Sequence, residues 1–65
     1  MLTDREKEIL KLLMTHDLNP HKVAGILSVS EHTVKYHTRQ ARGKLNRMTT
    51  GGAILEALKK GLLSF

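Results

Sequence analysis

Four helix-start signals divide this short chain, and they constrain its fold more than any other feature. Residues 3–6 read Thr-Asp-Arg-Glu, a capping box in which the threonine hydroxyl and the glutamate carboxylate each accept a hydrogen bond from a backbone N–H of the other residue. Asn19 is a good N-cap, and Pro20 suits the first helical position. Ser30 and the threonine pair at 49–50 are further N-caps. These signals predict four short helices in 65 residues.

Apolar residues recur at helical spacing after each signal. The expected core positions are Ile9, Leu10, Leu13 and Met14, then Val23, Ala24 and Leu27, then Val34, Ala41 and Leu45, and finally Ala53, Ile54, Ala57 and Leu58. No segment alternates between apolar and polar residues as a strand does. We therefore predict an all-α fold, a four-helix bundle with helices over about residues 4–15, 20–28, 31–46 and 52–60. The whole chain, residues 1–65, is expected to form a single domain.

The second and third segments follow the pattern of a helix-turn-helix motif. Ala24 is small at the point where the two helices would cross, and the linker of residues 28–30 is as short as the motif requires. Val29 can fill the corner, and Val34 can pack one turn into the next helix. Such a motif presents its second helix to the DNA major groove. The pattern predicts DNA binding, although small helical domains without DNA can imitate it.

Positive charge gathers on the third segment. The chain has a formal net charge of +5, and no acid occurs from His32 to Leu55. A helical wheel separates an outer face with His32, Lys35, Tyr36, Arg39 and Arg42 from an inner face with Val34, Thr38, Ala41 and Leu45. A basic stripe on one element predicts a polyanionic partner, and a solvated helix face is the alternative interpretation.

Several stretches of the chain resemble the C-terminal DNA-binding domain of LuxR-type transcription factors. This family includes quorum-sensing receptors and NarL-like response regulators. The similar stretches are LTDREKEIL (residues 2–10), NPHKVAGILSVSEHTVKYH (19–37) and KLN (44–46). In addition, ALKKGLL (57–63) resembles the fourth helix of the quorum-sensing branch. The resemblance covers nearly the whole chain, in the same order and with the same spacing.

The resemblance implies a transcriptional regulator that binds double-stranded DNA, with the helix over residues 31–46 in the major groove. It also implies a homodimer on an inverted repeat, with the fourth helix at the dimer contact. The implied base contacts are Lys35, Tyr36 and Arg39, which the helical wheel also turns outward. The implied phosphate contacts are Ser30, His32, Thr33, Arg42 and Lys44. The implied dimer residues are Leu55, Leu58 and Leu62.

Composition argues against several other classes of protein. Cysteine is absent, and the spacings of the four histidines match no zinc signature, so we expect no metal site. No apolar run approaches the roughly 20 residues of a membrane span, and no signal peptide is recognisable. We therefore expect a cytoplasmic protein that does not contact a membrane. No catalytic triad pattern or phosphate-binding glycine loop occurs, so we expect no enzyme and no cofactor.

Two other functions stay open. The chain could be a promoter-binding module like region 4 of a sigma factor, which would act as a monomer with RNA polymerase. It could instead be a small interaction protein that pairs with a full-length regulator through its fourth helix. The apolar end GLLSF (residues 61–65) motivates the second alternative, because its leucines and Phe65 could be core, a dimer contact or a contact with a regulatory domain.

Overall fold

Four helices build the fold seen in the computed structural model, which describes residues 1–64. They are α1 (Asp4–Thr15), α2 (Pro20–Leu27), α3 (Glu31–Lys44) and α4 (Thr50–Lys59). Residues 1–64 contain no strand, so the all-α prediction is confirmed. No helix in this part of the chain is long and apolar enough to cross a membrane. The prediction made for Phe65 lies outside the described residues.

The predicted N-caps form as expected. The Thr3 hydroxyl accepts a hydrogen bond from the Glu6 backbone N–H at 3.1 Å, and a Glu6 carboxylate oxygen accepts one from the Thr3 N–H at 2.9 Å. Asn19, Ser30 and Thr49 likewise use their side-chain oxygens to accept backbone N–H groups in the first turns of α2, α3 and α4. Each such cap typically contributes about 1 kcal/mol to stability.

Two helices end earlier than predicted. We expected the second helix to reach residue 28 and the third to reach residue 46, but α2 ends at Leu27 and α3 at Lys44. Ser28 and Asn46 have φ angles of 57° and 56°, in the left-handed region, which is incompatible with continuing a right-handed helix. Both turns end a helix with a left-handed residue that is not glycine.

The fourth helix is shifted toward the N-terminus. We predicted residues 52–60, whereas α4 runs from Thr50 to Lys59. Thr49 is the N-cap, so Gly51 and Gly52 lie in the first turn of the helix. At the other end, the positive φ of Gly61 (73°) lets the chain turn just beyond the helix, a common role of glycine at a helix C-terminus.

The core lies where α3 packs against the other three helices. Its most deeply buried large side chains are Ile9, Leu10, Leu13, Val23 and Val34. The other buried apolar residues are Leu2, Ala24, Ala41, Leu45, Ala53, Ile54, Ala57 and Leu63. The burial of Leu63 assigns this residue of the apolar tail to the core, one of the alternatives that the sequence left open.

Candidate nucleic-acid interface

Helix α3 has one side in the core and one side in solvent. Val34, Thr38 and Ala41 are its buried residues. The buried Thr38 hydroxyl donates a hydrogen bond to the Val34 carbonyl at 2.8 Å, so its burial leaves no polar atom unsatisfied. The helix has 14 residues and is therefore about 21 Å long, similar to the 21 Å middle dimension of the molecule. The outer side of α3 is therefore long relative to the size of the molecule.

Four side chains on the outer side of α3 line a surface pocket of about 180 Å³. They are His32, Lys35, Tyr36 and Arg39, which we call the recognition patch. Tyr36 is 54% exposed, and its ring meets the ring of the half-buried His37 edge-on with centroids 5.4 Å apart. The wheel prediction of an outward-facing basic surface is confirmed for these four residues.

A larger cleft of about 320 Å³ lies on the flank of the recognition patch. Its lining includes the cationic residues Lys35, Arg39 and Arg42 of α3, together with Leu18 of the turn between α1 and α2 and Pro20 at the start of α2. Arg42 is half-buried and its guanidinium donates a hydrogen bond to a backbone carbonyl of the connector between α3 and α4, at 3.4 Å. The positive surface therefore continues from the recognition patch along α3 to Arg42.

The two hydroxyl residues predicted to contact phosphate lie together at the N-terminus of α3. The Ser30 hydroxyl oxygen lies 2.9 Å from that of Thr33, and it also accepts the Thr33 backbone N–H at 3.0 Å. Ser30 is exposed and Thr33 is half-buried. This end of the helix carries the positive end of the helix dipole, which favours an anion.

Lys44 has a role in the fold that the sequence did not reveal. Its ammonium lies 2.8 Å from a carboxylate oxygen of Glu6, a residue of α1 that is only 4% exposed. Burial raises the pKa of Glu6, but the Lys44 ammonium and the hydrogen bonds from Thr3 outweigh it and hold this pKa below 4.5. Lys44 ties α3 to α1, so it is less available for DNA than the sequence predicted.

Glu31 is the second interface residue whose role the sequence reading missed. It is the first residue of α3, and its carboxylate lies 3.4 Å from the Lys35 ammonium and 3.5 Å from the His21 ring of α2. A glutamate four residues before a lysine is a recognised helix pair, so the spacing of residues 31 and 35 was a signal available in the sequence. The link to His21 depends on how α2 and α3 meet.

The chain is similar to known bacterial regulators over most of its length. Residues 1–57 match the GerE family, described as "Bacterial regulatory proteins, luxR family". The chain belongs to the luxR family. It is also similar to the spore germination protein GerE of Bacillus subtilis (strain 168), with 36% identity over 63 residues that cover 97% of this chain and 84% of that protein.

Membership of the luxR family gives the interface its function class. The family's helix-turn-helix domains are DNA-binding transcription regulators and not enzymes, and α2 and α3 form that motif here. The predicted family and the predicted class of function are both confirmed. Assignment to the quorum-sensing branch stays a prediction. Among residues 1–64, no three His, Cys, Asp or Glu side chains come close enough together to hold a metal ion.

The leucines predicted at the dimer contact of this luxR-family domain differ in exposure. Leu55 is 56% exposed on α4. Leu58 and Leu62 are partly buried and pack against the hydrophobic core. Of the three, Leu55 therefore offers the most apolar surface to a second molecule, while the other two also stabilise the monomer.

Helix α4 is tied to the connector by charge. The Arg47 guanidinium lies 2.6 Å from one carboxylate oxygen of Glu56, and the Lys60 ammonium lies 3.5 Å from the other. The hydrogen bond from Arg47 is the main reason that the pKa of Glu56 is lowered. This contact links α4 to the connector, and it gives Arg47 a partner within the fold.

Proposed function

We propose that residues 1–65 form a single domain that binds specific double-stranded DNA sequences as part of a transcriptional regulator, with α3 in the major groove. The observation that carries this proposal is the recognition patch, which lies on the outer side of a helix whose inner side is held in the core. Lys35 and Arg39 can donate hydrogen bonds to guanine, and Tyr36 can contact a thymine methyl group or a phosphate.

Phosphate contacts would fix the position of the domain on the duplex. Ser30, His32 and Thr33 lie at the N-terminal end of α3, and Arg42 extends the positive surface along the cleft. Such contacts supply salt-dependent affinity without reading sequence. Lys44, which we predicted as a phosphate contact, is left out of the proposed set because it is paired with the buried Glu6.

Two copies of the domain would bind an inverted repeat through a contact between their α4 helices. The exposed Leu55 supports this part of the proposal, and Leu58 and Leu62 would border the same contact. The two α3 helices would then enter half-sites about one helical turn apart, roughly 34 Å. A regulator of bacterial DNA would act in the cytoplasm.

The proposal is tested by selecting bound duplexes from a random DNA pool and titrating the selected sequence by fluorescence anisotropy at several salt concentrations. We expect an inverted repeat and a steep fall of log affinity with log salt concentration. Equally steep salt dependence without a selected sequence would contradict sequence-specific binding. A selected site without two-fold symmetry, bound by one copy, would favour a promoter-binding module that acts with RNA polymerase.

A further inference from the structure

Glu31 places a negative charge beside the surface that we propose binds DNA. It is the only acidic residue of α3 and lies at the N-terminal end of the helix, beside the recognition patch. A carboxylate there is favourable for the isolated helix, because it faces the positive end of the helix dipole. In a DNA complex it would lie near phosphates, which repel it.

The carboxylate is held from two sides. Its Oε2 lies 3.4 Å from the Lys35 ammonium one turn along α3, and its Oε1 lies 3.5 Å from Nδ1 of His21 on α2. The contact between His21 and Glu31 therefore joins the two helices of the helix-turn-helix motif. One carboxylate oxygen thus lies nearest His21, and the other lies nearest Lys35.

A paired lysine can still contact a base. Its ammonium has three donors, so Lys35 can donate one hydrogen bond to Glu31 and another to an acceptor such as guanine O6 or N7. A phosphate is a different partner, because it carries the same sign of charge as the carboxylate. For Lys35 to neutralise a phosphate, the phosphate must approach Glu31 or the ammonium must leave it.

We propose that Glu31 is a positioning residue for Lys35, which directs the ammonium toward base edges and withholds it from phosphates. The inference rests on the proposed function, and it makes Glu31 a determinant of specificity. Glu31 lowers affinity for non-selected DNA more than affinity for the selected sequence, and thereby increases the preference for that sequence. Sequence preference is the difference between the binding free energies of the selected and the non-selected DNA. A repulsive group that weakens binding to non-selected DNA increases this difference just as an attractive contact to the selected DNA does.

The test compares the wild type with Glu31→Gln on the selected duplex and on a scrambled duplex, at several salt concentrations. We expect the variant to bind the scrambled duplex about three- to ten-fold more tightly and the selected duplex nearly as before. The ratio of the two affinities should fall accordingly. The slope of log affinity against log salt on the scrambled duplex should steepen by about 0.9, the value for one additional phosphate contact.

Glu8→Gln is the matched control, because it removes the same charge from an exposed residue of α1 that pairs with Arg5 at 3.2 Å. We expect it to tighten binding to both duplexes equally. Repeating Glu31→Gln in a Lys35→Gln background tests the positioning role. In that background, Glu31→Gln should no longer change the ratio of the affinities for the selected and the scrambled duplex. Circular dichroism of each variant monitors folding.

Each remaining outcome would contradict the inference in a recognisable way. If Glu31→Gln behaves as Glu8→Gln does while the wild type keeps its sequence preference, Glu31 does not determine specificity and the proposed function stands. If the ratio falls equally without Lys35, Glu31 does not act through that residue. If the wild type itself shows no sequence preference, the proposed function and this inference both fail.

Discussion

At the scale of single residues, the outer side of α3 divides into side chains with different expected tasks. Arg39 belongs to the recognition patch, whereas Arg42 is half-buried on the flank and bonded to the connector. A base contact confers sequence preference, and a phosphate contact confers affinity on every sequence. The two arginines therefore offer a matched comparison within one helix.

We expect Arg39→Ala to weaken binding to the selected duplex by about 1–3 kcal/mol and to relax the preference at one base position. Arg42→Ala should weaken binding to all duplexes by a similar factor and reduce the salt slope by about 1. Anisotropy titrations against duplexes with single base changes measure both effects. Uniform weakening by Arg39→Ala would make Arg39 a phosphate contact.

The buried Glu6 illustrates a residue that acts on stability rather than on DNA. Its carboxylate joins the α1 capping box to Lys44 of α3, and its pKa in the folded protein is held below 4.5. Because this folded-state pKa is lower than the value in the unfolded chain, the contribution is fully present above pH 4.5 and is lost as the pH falls through the folded pKa.

We expect Glu6→Gln to lower the free energy of unfolding at pH 7 by about 1–3 kcal/mol, since it removes a charged partner from a nearly buried site. The difference between wild type and variant should shrink as the pH is lowered below 4.5, the unperturbed pKa of this carboxyl. Urea unfolding at a series of pH values measures it. A difference that stays constant with pH would argue against the pair with Lys44, and Glu8→Gln serves as the exposed control.

At the scale of elements, the glycines at 25 and 61 have opposite roles. Gly25 lies within α2, and a Cβ added there would meet no atom within 4 Å. Gly61 has equally open space, but its φ of 73° is costly for a residue with a Cβ. The first glycine only weakens a helix, while the second allows the turn that returns Leu63 to the core.

We therefore expect Gly25→Ala to raise the free energy of unfolding by about 0.5–1 kcal/mol. Gly61→Ala should lower it by about 1–2 kcal/mol, since only the backbone conformation opposes the new methyl group. Thermal unfolding of the two variants provides the comparison. Stabilisation by both substitutions would mean that residue 61 does not need a left-handed conformation.

At the scale of the whole molecule, the proposed dimer contact should contribute to binding at a full site with two half-sites and not to binding at a single half-site. Leu55 is the exposed leucine of α4, and its removal should not disturb the core. Met48, in the connector, is 93% exposed and provides a matched apolar control. The comparison distinguishes a specific contact between copies from a general loss of surface apolarity.

We expect Leu55→Ser to reduce cooperative binding to an inverted repeat at least about ten-fold and to leave binding to a single half-site unchanged, because linked sites multiply affinity. Met48→Ser should affect neither. Gel-shift titrations on duplexes with one and two half-sites give both quantities. Unchanged cooperativity in the Leu55 variant would place the dimer contact elsewhere or exclude it.

The sequence by itself determined the helices, the helix-turn-helix motif and the outward placement of Lys35, Tyr36 and Arg39. These features follow from local rules, because caps act within one turn and a 3.6-residue period sets which side of a helix each residue occupies. The same rules did not predict the C-terminal ends of α2 and α3, where Ser28 and Asn46 adopt left-handed conformations.

Only the tertiary structure decided which charged residues are free to face DNA. Lys44 pairs with a carboxylate 38 residues away, Arg47 pairs with Glu56, and Glu31 reaches His21 across the helix-turn-helix corner. These contacts depend on how the four helices pack, since neither helical period nor cap chemistry specifies which residues of different helices meet. The packing of the helices thus decides which basic residues pair with carboxylates inside the fold and which remain available for DNA.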